Sequence, residues 1–435
     1  MRRGQVAIAT FVALLVHGTL HFVGRFPSPR LLWGDEITYA EAARRISAGL
    51  PPNLELLWPP LYPRLLAWLG VPGSLLGVTL LQSLALLGAA LVLRDLVARS
   101  GAPGLPADLA GFFLLADPST AAFAHFLWPE VFHLFLFLVA IWIVVARSDR
   151  AAWLLLLGFV LGLALLLKSL LGPFLPVLLF PVVLSARGWR RLLNPVLALV
   201  GVVALTLPVM LGNERREGSF VVADSTRFNT WVGLNDRSRR NLVDEIVGDE
   251  YGRWLASGSS LKQRNAASES RIRELVAHRG LPAILAGQLG KQYFRLFDKD
   301  SFLTDQLPGG AIAARGYGYV GPPRAIASGL RGIAVAAGIC ILVTAAAGLV
   351  LAPRPLGMPM RLLGLFLAYN LALLLVLHVK TRYRVQLTPA LLAFAAPLWS
   401  APLAVFRSAA LWRRVAAVAA AVLALFLAVG GPLLP

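Results

Sequence analysis

The chain has 435 residues, 57% of them hydrophobic and only 14% charged, with a mean hydropathy of +0.71. Such values exclude a soluble domain of this length and mark a polytopic membrane protein, because apolar runs recur along nearly the whole sequence. The net charge of +19 does not indicate nucleic acid, since the arginines sit in short clusters between apolar spans, and the lone Cys340 excludes disulfides and argues against thiol catalysis.

Met1-Arg2-Arg3 and the apolar run to Val23 read as a retained first helix, because no small-residue cleavage site follows. Next comes LLWGDEITYAEAARRISAGLPPNLELLWPPLYP, Leu31 to Pro63, where several charges gather beside long apolar segments. Ile37, Ala40, Ala43 and Ile46 recur at helical spacing, with Glu41, Arg44 and Arg45 on the other side, so a helix from Gly34-Asp35-Glu36 to Gly49 is expected along the membrane surface. Either Asp35 reads as an N-cap, with Glu36 as a first-turn acid that complements the helix dipole, or the two read as catalytic carboxylates.

Apolar spans are expected at roughly 5 to 24, 74 to 97, 106 to 119, 129 to 146, 151 to 168, 170 to 186, 195 to 212, 327 to 350, 361 to 379, 386 to 405 and 412 to 432, about eleven in all. With Arg2 and Arg3 inside, every loop this count places inside carries arginine, among them Arg94, Arg99, Arg147, Arg150, Arg187, Arg190, Arg191, Arg354, Arg361, Arg407, Arg413 and Arg414. The expected organisation is a transmembrane module over 1–212 with a first external loop at 25–73, an external and mostly helical segment over 213–326, and a second transmembrane module over 327–435. Within the external segment, 260–279 and 281–297 read as two helices parted by Gly280-Leu281-Pro282.

Three sets of charges run against the hydropathy pattern. Glu130, in Leu127-Trp128-Pro129-Glu130, sits just inside a span, where a carboxylate costs a few kcal/mol unless it faces a cavity, a partner or the helix start; Asp117 is a weaker candidate. Lys168 ends the all-apolar stretch Leu161 to Leu167 and either snorkels to the interface or holds an anion. Lys380-Thr381-Arg382-Tyr383-Arg384 puts three cations on an external turn, which points to a ligand rather than a topology signal.

Asp35-Glu36 after a first span, the Tyr39-Ala40-Glu41-Ala42-Ala43-Arg44 helix ending in Gly49, and Pro59-Pro60-Leu61-Tyr62-Pro63 before the second span resemble the first external loop of the GT-C glycosyltransferases. The nearest members are the protein O-mannosyltransferase and aminoarabinose transferase group, which take a sugar from a polyprenyl-phosphate carrier. This resemblance implies an all-α polytopic GT-C fold and an inverting transferase of the bacterial inner membrane, with its site on the periplasmic face. It implies Asp35 as general base, with Glu36 and Glu130 positioning acceptor or sugar. Lys168, Arg382 and Arg384 would hold the carrier phosphate, with Tyr39 and Tyr383 in the substrate-binding set. Phe228-Asn229-Thr230-Trp231-Val232-Gly233-Leu234-Asn235 resembles a Trp-x-Gly-x-Asn segment of bacterial members. Its Asn229, Trp231 and Asn235 suit sugar hydroxyls, or else serve turn chemistry.

The sequence departs from the aminoarabinose branch at Thr38 and Trp58, where that branch has Arg and Lys. Arg44, Arg45, Arg64 or the Arg382 turn would then supply the missing charge, and Trp58 stacks on a sugar or prenyl chain or belongs to an interfacial belt. Expected partners are a polyprenyl-phosphate-linked sugar, a glycan, lipid or protein acceptor, and membrane lipids, with no nucleic acid. No cofactor or metal is expected, because the six histidines show no ligand spacing and no Asp-x-Asp pair occurs; the sequence offers no support for a divalent cation. The alternative is a transporter or lipid-carrier flippase, for which broken helices and midplane polar residues in symmetric halves would be the signature.

Overall fold

The computed structural model describes residues 3–25, 30, 32–52, 54–236, 238–239 and 246–433. The first half runs through α1 (Arg3–Val23), α2 (Asp35–Ser47), α3 (Leu61–Trp68), α4 (Leu76–Arg99), α5 (Leu105–Ala116), α6 (Pro118–Ala121), α7 (Glu130–Ala146), α8 (Ala151–Leu167), α9 (Leu175–Ser185) and α10 (Arg190–Glu217). A more polar run follows in α11 (Thr226–Asn235), α12 (Val247–Ala256), α13 (Leu261–Arg279), α14 (Leu281–Phe297) and α15 (Phe302–Gln306). The chain closes with α16 (Arg324–Leu351), α17 (Met358–Leu374), α18 (Arg384–Ser400), α19 (Pro402–Ser408) and α20 (Leu411–Val429).

The fold is all-α among the described residues, and most expected spans fall on a single helix, but 106–119 crosses the break at Asp117 between α5 and α6, and 386–405 crosses the bend between α18 and α19. Among the described residues five helices are long and apolar enough to cross a membrane: α1 from Gln5, α4, α10, α16 and α20. The stretch Thr381–Ser400 joins α19 through a 96° bend and makes a sixth if the pair is one span, while the other expected spans fall on apolar helices of 10–17 residues. Only 17% of the apolar window of α1 and of α20 is buried, and what they expose is Ile8, Phe11, Leu14, Val418 and Val422. Large apolar surface of this kind is at home in lipid, not water.

Small residues set the closest helix approaches. A Cβ on Gly158 of α8 would lie 2.0 Å from the Ala198 carbonyl of α10, and one on Gly201 would lie 2.7 Å from the Leu155 carbonyl. Backbones meeting at that range replace the missing hydrophobic drive between helices in lipid. Arginines of the loops expected inside tie off helix ends: Arg413 donates to the Val350 and Ala352 carbonyls at the end of α16, and Arg191 to Ala186 after α9. These carbonyls have no partner within their own helices, so the cations satisfy them and complement the dipole.

Two helix ends differ from expectation for visible reasons. Instead of stopping near 212, α10 runs on to Glu217, where Gly218 takes a left-handed φ of 62° and donates to Glu214. Instead of reaching 379, α17 stops at Leu374, because the chain there turns to meet α11: the His378 amide donates to the Asn229 carbonyl at 2.8 Å. The two helices expected at 260–279 and 281–297 are α13 and α14. Around them α11 and α12 form a small core of Leu57, Phe228, Val232, Trp254 and Leu261.

Candidate functional site

Where α2, the turn before α7, the end of α8 and the turn before α18 converge, they enclose a cavity of about 420 Å³. It contains Asp35, Tyr39, Trp58 and Glu130 from the first half of the chain, and Lys168, Asn229, Arg382 and Tyr383 from later elements. Four of its charged groups stand as two ion pairs, while Lys380, which also lines it, lies 5.3 Å from the centroid of the Trp33 ring. Asp35, at the first position of α2, accepts from the Arg382 guanidinium at 2.8 Å, and Glu130 accepts from the Lys168 ammonium at 2.9 Å. The second oxygen of Glu130, Oε2, is buried and has no hydrogen-bond partner among the described residues.

Burial pushes the Asp35 carboxyl up, but the charge and hydrogen bond of Arg382, helped by Lys380 and the Trp58 indole, outweigh it and hold the group below the usual carboxylate range. Burial first, and then the carboxylates of Asp35 and Glu130, push the Tyr39 phenol well above its ordinary value, so it stays protonated as a donor. Arg382 is stacked as well as paired, lying 4.3 Å from the centroid of the Trp128 ring and 5.2 Å from that of Tyr383. Lys168 lies 5.6 Å from the same Tyr383 ring, so one aromatic ring stands beside both cations.

The remaining walls differ in chemistry. Leu167, Leu170, Pro173, Leu373, Leu374 and Leu377 form an apolar side at the ends of α8 and α17. Facing the polar segment are Ser225, Thr226, Asn229 and Tyr251, with the Trp58 ring meeting Tyr251 edge-on at 6.0 Å. Isoprenoid chemistry suits the first side and a hydroxyl-rich ligand the second.

Six residues expected at a ligand lie elsewhere. Glu36 is completely buried, clasped by both guanidinium nitrogens of Arg30 and accepting from the Leu127 amide at 2.9 Å, so it holds α2 against the turn before α7 instead of touching the cavity. Arg44 pairs with Glu41 and Arg45 bonds the Pro51 carbonyl, both on exposed surface. Arg384 is drawn away by the Asp298 carbonyl, to which it donates at 3.0 Å. Trp231 donates to Glu250, and Asn235 donates back to the Trp231 carbonyl within its own helix.

The Trp-x-Gly-x-Asn segment therefore works as scaffold. A Cβ on Gly233 would sit 2.4 Å from the carbonyl carbon of Leu377 and 2.5 Å from the His378 nitrogen, so only glycine lets α11 press on the turn that carries Arg382. The Gly233 carbonyl accepts from Gln288, Lys291 and Gln292 of α14. Beside it Asp236 bonds His378 and Arg295, and these partners outweigh burial to hold its carboxyl down at about 2. Asp236, His378, Gln82 and Arg30 were missed by sequence reasoning. Gln82 accepts from the buried Tyr62 hydroxyl at 2.8 Å and donates to the Phe123, Ala124 and Phe126 carbonyls, which explains the tyrosine of the Pro-Pro-Leu-Tyr-Pro run. Among the described residues no group of three or more His, Cys, Asp or Glu side chains is arranged to hold a metal ion.

No protein-family model matches the chain, and no curated protein matches it. Among solved structures it is similar to the crystal structure of ArnT from Cupriavidus metallidurans bound to undecaprenyl phosphate. The identity is 16%, the match covers 91% of this chain and 78% of that one, and the TM-score is 0.41.

Proposed function

We propose that this protein is an inverting glycosyltransferase that moves a sugar from a polyprenyl-phosphate carrier to an acceptor hydroxyl at the periplasmic face of a bacterial inner membrane. One observation carries the proposal: a carboxylate and two cations, Asp35, Arg382 and Lys168, share a cavity whose walls are apolar on one side and hydroxyl- and aromatic-rich on the other. The apolar side takes the first isoprene units and the polar side takes sugar.

In this mechanism the acceptor hydroxyl gives its proton to Asp35 as its oxygen attacks the anomeric carbon from the face opposite the phosphate. The bond from that carbon to the phosphate oxygen breaks, and its electron pair leaves on the phosphate. Arg382 and Lys168 stabilise the charge that develops there, and positioned cations are worth more in a water-poor cavity than in bulk. Glu130 takes sugar hydroxyls through its unpartnered oxygen, Tyr39 donates to the reacting sugar, and Trp58 with Tyr251 packs on a ring face. The carrier itself supplies the activated sugar, so no nucleotide is involved.

The test is to supply purified protein in nanodiscs with an undecaprenyl-phosphate hexose and an envelope glycan and lipid extract, and to follow release of undecaprenyl phosphate. Acceptor-dependent release supports the transferase. Carrier that binds and changes leaflet with its sugar bond intact would replace it with the flippase.

A further inference from the structure

The cavity's two acids are both occupied by the two cations that a phosphate would need. A donor phosphate must share those cations with the two carboxylates or take them over, and the pairs are not equivalent. Lys168 is a compact charge on a flexible stem, whereas Arg382 is a planar fork lying 4.3 Å from the centroid of the Trp128 ring and 5.2 Å from that of Tyr383. Its Nη1 donates to Asp35 at 2.8 Å, and its Nη2 lies 3.5 Å from the Tyr383 hydroxyl. Its Nε, though buried, has no partner among the described residues. A guanidinium packed against aromatic rings can keep those contacts while an edge N–H changes acceptor, and its unfilled Nε already calls for another oxygen.

Taking the polyprenyl-phosphate donor as given, we propose that Arg382 is shared in turn between Asp35 and the donor phosphate. In the structure it engages the carboxylate. The arriving phosphate takes the guanidinium, and Asp35 is then left to receive the acceptor's proton. Donor binding therefore switches on the base, and the order is donor first: an acceptor that enters alone meets a carboxylate whose oxygen is occupied. As the sugar leaves, the phosphate gains charge while Asp35 gains a proton, so Arg382 stays with the phosphate. When Asp35 gives that proton up to water, it competes for Arg382 again and helps eject the spent carrier.

The experiment is a double-mutant cycle on the full chain in nanodiscs, reading the Kd for undecaprenyl phosphate without sugar. Asp35→Asn removes the competitor of similar shape and is expected to tighten binding about tenfold, the worth of one charge-assisted hydrogen bond. In the Arg382→Gln background the same change is expected to alter Kd by less than about twofold, because the group competed for is gone. Absence of tightening in Asp35→Asn overturns the proposal. So does equal tightening in both backgrounds, which would assign the effect to the lost negative charge and not to Arg382. Should Arg382→Gln fail to fold, Arg382→Lys replaces it; there the coupling is expected to shrink and keep its sign, and zero coupling overturns the proposal. If the wild type itself does not bind undecaprenyl phosphate, the donor assignment of the preceding section falls and the proposal falls with it.

Discussion

Asp35 and Glu36 are neighbours in sequence with opposite fates, since one helix step turns the first into the cavity and the second into a fully buried pair with Arg30. Breaking such a pair leaves an uncompensated charge inside, so Arg30→Ala should destabilise the protein by about 3–5 kcal/mol. The matching measurement is thermal unfolding in detergent, and a variant as stable as wild type would contradict the pairing. The Asp35 carboxyl is held below the ordinary carboxylate range by the Arg382 charge and hydrogen bond, so it stays ionised, as a base must, at lower pH than a free carboxylate would. The acidic limb of kcat/KM should therefore lie below the ordinary carboxylate range in the wild type and move upward in Arg382→Gln, where burial acts on Asp35 with less opposition. A limb that stays in place would exclude Asp35 as its origin. In sequence Asp35, Lys168 and Arg382 were legible because each is a charge set against an apolar run. The partner of Glu36 was not, because Arg30 belongs to a polar stretch where a single arginine carries no signal of its own.

At the scale of elements, α11 and α14 hold the turn of Lys380, Thr381 and Arg382 in place through Gly233, Asp236 and His378. Gly233→Ala would drive a methyl into the backbone at Leu377 and His378, at a cost of about 1–3 kcal/mol. Transfer should fall with it, because the displaced turn carries Arg382. Wild-type melting together with wild-type turnover would show that the contact does not position the site. The Trp-x-Gly-x-Asn pattern was visible in sequence, and its polar residues pointed to sugar. Its use as a brace was not visible, because the groups that meet Gly233 lie 55 or more positions away along the chain. The spans themselves were legible almost to their ends, since apolar runs dictate helices in lipid. Errors arose where tertiary contacts overrode the run, as at Leu374.

Across the whole molecule, the proposed topology has the arginine clusters inside and the polar α11–α15 segment, with the cavity, outside. A cysteine introduced at Ser259 should react with an impermeant thiol reagent from outside the cell membrane, and one at Ser148 should not. The reverse pattern would put the chemistry on the cytoplasmic side. The central claim is that this cavity is a transferase site whose base is Asp35. It is tested most directly by single-turnover transfer from an undecaprenyl-phosphate sugar with purified Asp35→Asn beside wild type. The variant should lose about 10²- to 10⁴-fold in rate while binding undecaprenyl phosphate at least as tightly; turnover near that of the wild type would contradict the account.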